Sequence, residues 1–103
     1  MLPQDIKALR VAYKLTQKEF ASAIGVQKQT LYFWEKGKYS PSRYDVIVIC
    51  KLWKMLHSPK QRAIAQNALD HAKNLPAPKN NSIGQHVIRE SNVGYLLSEI
   101  FSV

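Results

Sequence analysis

Residues 27 to 29 read Gln-Lys-Gln and open the segment QKQTLYFWEKG, which ends at residue 37. A glutamine amide carries an acceptor and a donor on one plane, so Gln27 and Gln29 can each bond adenine N6 and N7 together. The Lys28 ammonium can reach guanine O6 and N7. Phe33, further along the segment, has a ring that can touch a thymine methyl or pack into a core; both readings stay open. Hydrogen-bonding groups at the leading end of a short helix suit a helix whose N-terminal residues project toward base edges. Gln17 stands at the head of the preceding helical segment, where leading amides can meet a phosphate. Lys18, Lys36, Lys38 and Arg43 surround this stretch as candidate phosphate contacts, against the plainer reading of a solvated face.

The elements that must position these groups are helical. Pro3 suits a first helical position, and the spacing of Ile6, Leu9 and Tyr13 predicts a first helix over 3–13. Thr16-Gln17-Lys18-Glu19 is a capping box that starts a second helix over 17–24, and Gly25 suits the left-handed residue that ends it. A third helix covers 28–36 and stops at Gly37, with Leu31 and Trp34 turned inward. Ser40-Pro41-Ser42 restarts the chain into a fourth helix running to Leu56. Its stretch DVIVICKLW alone would read as a buried strand, but the helical series around it and its length favour a helix. Tyr44 and Trp53 are assigned to packing. Ser58-Pro59-Lys60-Gln61 is a second capping box, opening a fifth helix over 59–74 with Ile64, Ala68, His71 and Leu75 on one stripe.

Beyond this series, the Pro- and Asn-rich residues 76–82 read as a linker. In the extension 83–103, Asn92 can cap a last helix carrying Leu96, Leu97, Ile100 and Phe101, while residues 85–89 fit a strand or a helix. The fourth helix is apolar nearly all round, and Val48 and Leu52 are expected on a face that another element or another subunit covers.

Charge separates the two parts. The chain of 103 residues carries a formal net charge of +8, with a pI near 9.8. Residues 1–62 hold twelve of the fifteen Lys and Arg but four of the seven acids, so the excess lies wholly there. Such a bias points to a polyanion and argues against an interaction module that has lost nucleic-acid binding. The one cysteine, Cys50, excludes an intrachain disulfide framework. His57, His71 and His86 are dispersed, with no zinc spacing, nucleophile turn or phosphate loop, so no enzyme, metal or cofactor is expected. No apolar run has transmembrane length and no signal peptide is evident, which places the expected protein in the cytoplasm, on the nucleoid when bound to DNA.

One combination is specific. Leu9-Arg10, Thr16-Gln17, Glu19-Phe20-Ala21, Ile24-Gly25-Val26, Thr30-Leu31, Trp34-Glu35-Lys36-Gly37 and Pro41-Ser42 together resemble the helix-turn-helix of the lambda-repressor-like (Xre/Cro/C1-type) transcriptional regulators. The resemblance covers about residues 6–56. It implies that Gln17 contacts phosphate, that residues 27, 28, 29 and 33 line the base-reading face, and that Val46, Ile49, Cys50 and Trp53 face inward. Two departures stand out: Gln27 occupies a place where the family usually has a capping Ser or Thr, and Tyr32 and Phe33 are bulkier than is common.

The expectation is therefore an all-α, five-helix lambda-repressor-like DNA-binding domain over 1–75 with a C-terminal extension of undetermined structure. Its partner is double-stranded DNA, bound as a homodimeric repressor on an inverted repeat, with Val48, Leu52, Leu96, Leu97, Ile100 and Phe101 at the subunit contact. The alternative is an antitoxin that represses its own operon and holds a toxin through its C-terminal region.

Overall fold

The computed structural model describes residues 2–75. They form five helices, α1 (Pro3–Ala12), α2 (Gln17–Ile24), α3 (Lys28–Lys36), α4 (Arg43–Met55) and α5 (Pro59–Ala72), and no strand occurs among the described residues. The fold is all-α, as expected, and α2 and α3 have the expected bounds.

Local chemistry sets most of the boundaries. Leu2 N donates to the Asp5 carboxylate at 3.0 Å ahead of α1, which has Pro3 in its first turn. The helix ends through Lys14, a non-glycine residue at φ 59°. At α2 the capping box closes in both directions, with Glu19 N donating to Thr16 Oγ1 at 3.1 Å and Thr16 N to Glu19 Oε1 at 3.0 Å. Gly25 (φ 80°) and Gly37 (φ 77°) end α2 and α3 in the left-handed region. Ser42 Oγ accepts from Asp45 N at 3.2 Å and donates to the Asp45 carboxylate at 2.7 Å, fixing the start of α4. The β-branched run of α4 is helical because Ser42 caps its start and its neighbours supply the packing.

The core draws on every helix, with Leu9, Phe20, Leu31, Ile49 and Leu69 all fully buried. Three readings of side-chain position need correction. Val48 and Leu52 are 2% and 0% exposed. They belong to the domain's own core, because α5 packs against α4, and they offer no surface to a second subunit. The apolar residue that α4 leaves outside is Ile47, at 54% exposure, and Tyr44 is also exposed rather than buried. His71 is exposed, although its expected companions Ala68 (buried), Ile64 and Leu75 (partly buried) do pack on the core; α5 also buries Ala65, Leu69 and Ala72. Trp53 packs partly buried against the core, as expected.

Hydrogen bonds from distant residues tie the helices together. The Tyr13 hydroxyl donates to the Leu52 carbonyl at 2.7 Å in the interior. From α5, Arg62 Nη2 donates to the Ala12 carbonyl at 3.0 Å and Gln66 Nε2 to the Tyr13 carbonyl at 2.9 Å. These are terminal carbonyls of α1, which a helix end leaves without intrahelical partners. The linker 76–82 and the residues Leu96, Leu97, Ile100 and Phe101 lie outside the described residues.

Candidate nucleic-acid interface

α2 and α3 pack against each other across the turn Gly25-Val26-Gln27, and α1 packs on α3. Val26 N donates to the Ala21 carbonyl at 2.9 Å, and Val26 is buried, so the turn is pinned from inside. Leu31 and Trp34 are 0% and 4% exposed, and they anchor α3 by its inner side. The outer side is thereby fixed in direction as well as in sequence: Lys28 and Gln29 are exposed, Gln27 and Phe33 are half-buried.

These groups converge with α2. Gln17, Lys28, Gln29 and Tyr32 line one concavity of about 320 Å³ at the leading ends of the two helices. A second concavity of about 450 Å³ lies beside it, bordered by Lys18, Lys28 and Lys73. Lys36 and Lys38 are exposed on the later part of α3 and its turn. Arg43, exposed at the first residue of α4, lines neither concavity. Polar amides and ammonium groups thus share one face with main-chain amides at two helix N-termini, an arrangement that favours anionic ligands. The Gln27 side chain makes no capping hydrogen bond to α3, although the helix starts where expected. Its extended backbone (φ −79°, ψ 152°) is the ordinary cap geometry, so only the short hydroxyl is missing.

A buried network holds this face. Arg10 Nε and Nη2 donate to the Glu35 carboxylate at 2.8 and 3.2 Å, a two-pronged ion pair from α1 to α3. Arg10 Nη1 also donates to the Leu15 carbonyl at 3.0 Å, and Gln17 Nε2 donates to Glu35 Oε1 at 3.1 Å. One carboxylate on α3 therefore orients groups from two other helices, including the glutamine expected at a phosphate. Sequence reasoning missed this network. Its members lie 18 and 25 residues apart and share no periodicity; the visible signal was an Arg and a Glu on otherwise buried helix faces. Tyr39, in the turn after α3, was also passed over.

Away from this face, burial pushes the Tyr13 hydroxyl up to about 12, partly offset by the nearby Arg62 guanidinium. Among the described residues, no group of three or more His, Cys, Asp or Glu could hold a metal ion, and no helix is long and apolar enough to cross a membrane.

Five helices with a glycine-ended α2, a tight turn and an α3 anchored by one face define a helix-turn-helix domain. A helix-turn-helix family model matches residues 6–52. An uncharacterized HTH-type transcriptional regulator of Methanocaldococcus jannaschii is 46% identical over 52 residues, half of this chain and 79% of the relative. The chain belongs to this family, the Xre or lambda-repressor-like helix-turn-helix proteins. It is also 49% identical over 37 residues to an uncharacterized HTH-type transcriptional regulator of Archaeoglobus fulgidus, covering 36% of this chain and 52% of that protein. The antitoxin PezA of Streptococcus pneumoniae is 37% identical over 51 residues, 50% of this chain and 32% of the antitoxin. The chain thus spans about half the length of the Archaeoglobus relative and a third of the antitoxin. No solved structure matches the chain significantly.

Proposed function

We propose that this protein is a sequence-specific DNA-binding transcriptional regulator that represses by occluding a promoter. The observation that carries the reading is the shared concavity of Gln17, Lys28, Gln29 and Tyr32, which gathers base-reading and phosphate-contacting groups at the ends of α2 and α3. In this reading α3 lies in the major groove. Lys28, Gln29, Gln27 and Phe33 meet base edges, Gln17 positions the backbone, and Lys18, Lys36, Lys38 and Arg43 neutralise phosphates. The concentrated positive charge of residues 1–62 makes association steep in salt, with a log–log slope of about −0.9 per phosphate contact. The protein acts in the cytoplasm as a homodimer on an inverted repeat, with Leu96, Leu97, Ile100 and Phe101 joining the subunits.

The test is selection of bound duplexes from a random pool, repeated with two variants. Gln29→Ala should weaken binding by about 1–3 kcal/mol and relax one base-pair position. Gln17→Ala should weaken all sites alike. An unchanged selected sequence for Gln29→Ala would overturn the placement of α3.

The similarity to PezA favours a second reading, an antitoxin that also represses its own operon. Removing the residues after Leu75 separates the two. Loss of dimers supports the first reading; dimers that persist, together with co-purification of a partner by the full chain alone, support the second.

A further inference from the structure

The outer side of α3 and the turn after it hold three rings that the core does not absorb. Tyr32 is 40% and Tyr39 59% exposed, and Phe33 lies half-buried between them. The Phe33 and Tyr39 rings meet edge to face, with centroids 5.4 Å apart and planes at 85°, and Tyr32 lies 5.9 Å from Phe33. Lysines border this patch. Lys38 Nζ is 4.8 Å from the Phe33 centroid and 5.9 Å from that of Tyr39, and Lys36 Nζ is 5.6 Å from the Tyr32 centroid.

An apolar patch inside a cationic rim suits a ligand that is polyanionic yet offers apolar knobs. It continues the face of Lys28 and Gln29, since Tyr32 also lines their concavity. On duplex DNA the major groove shows donors, acceptors and one apolar group, the C5 methyl of thymine. A phenylalanine ring has no hydrogen bond to give, so the methyl is the feature it can distinguish. We propose that Phe33 reads thymine methyl groups, and that Tyr39 is a positioning residue that holds the Phe33 ring in the orientation this requires. The inference rests on the reading that α3 docks in the major groove. The aromatic pair fixes the ring before binding, because edge-to-face contact favours one relative orientation. Lys38 sits over the same rings and supplies the charge that brings the phosphate backbone to them.

The experiment changes the DNA first, so no variant needs to fold for it. In the selected duplex, each thymine is replaced singly by deoxyuridine, which removes the methyl and leaves pairing intact. Wild-type protein should lose about fourfold in affinity per methyl read, at one or two neighbouring positions. Phe33→Ala should bind thymine and uracil duplexes equally. Tyr39→Ala should narrow the difference and Tyr39→Phe, which keeps the ring, should preserve it. Equal affinity for thymine and uracil at every position overturns the proposal, as does a Phe33→Ala variant with the full uracil penalty. Failure to select any duplex sequence overturns the docking of α3 itself, before uracil is introduced.

Discussion

Replacing Arg10 by methionine tests whether the Arg10–Glu35 pair holds α1 to α3. The side chains are 12% and 5% exposed, so both charges sit largely out of water. In Arg10→Met the Glu35 carboxylate loses two donors, at 2.8 and 3.2 Å, and keeps the Gln17 amide at 3.1 Å. The Leu15 carbonyl loses its contact as well. Stranding a buried charge in this way costs about 3–5 kcal/mol. A domain of this size has a total stability of roughly 4–11 kcal/mol, so the variant should lose a large share of it. Urea melts followed by circular dichroism should show the midpoint falling while the slope m stays constant, since the surface exposed on unfolding is unchanged. The double variant Arg10→Met with Glu35→Leu should regain most of the loss, because it removes both charges together. A single-variant cost below about 1 kcal/mol would show that the pair behaves as a solvated surface contact. A double variant no better than the single would place the loss in the Leu15 contact and the packing of the arginine stem.

Gln27→Ser should supply the absent cap of α3 and raise stability by about 0.5–1 kcal/mol in thermal melts, while altering the selected base preference near that residue. Tyr13→Phe should remove an alkaline transition. The neutral hydroxyl is favoured by folding, so its contribution is complete below pH 10 and is lost as pH rises toward about 12. Wild-type stability should therefore fall by up to about 3 kcal/mol across that window, and the phenylalanine variant should show a flatter profile in urea melts at each pH.

The helices were legible because their punctuation is local. Thr16 with Glu19, Gly25, Gly37 and Ser42 each act within one turn of their own position. The direction of a helix in the fold is a different kind of information. In α4 the run Val46-Ile47-Val48-Ile49 is apolar on all sides, and hydropathy could not say that the packed helices would cover Val48 and leave Ile47 outside. In α5 the buried face is made chiefly of alanines, whose weak hydropathy hid Ala65 and Ala72; Ile64, Ala68 and Leu75 pack on the core as their spacing suggests, and His71 alone of that stripe is exposed. At the candidate interface, the exposure of Lys28 and Gln29 is readable from residue type alone. The brace beneath it is not, since Arg10, Gln17 and Glu35 meet only after three helices have packed.

The bonds from Arg62 and Gln66 to the carbonyls of Ala12 and Tyr13 bear on how this domain could be transplanted. The match to the family model closes at residue 52, before α5 begins. Yet α5 finishes the end of α1 and buries Ala65, Ala68, Leu69 and Ala72 against the rest. The matched stretch and the packed five-helix unit are thus different lengths of chain. A chimera cut at the boundary of the match would carry α3 with its exposed Lys28 and Gln29 but without the helix that keeps α1 closed, and α1 holds α3 through Arg10. Grafting α3 with its support onto another protein calls for a junction after α5, where the exchanged piece brings its own closure.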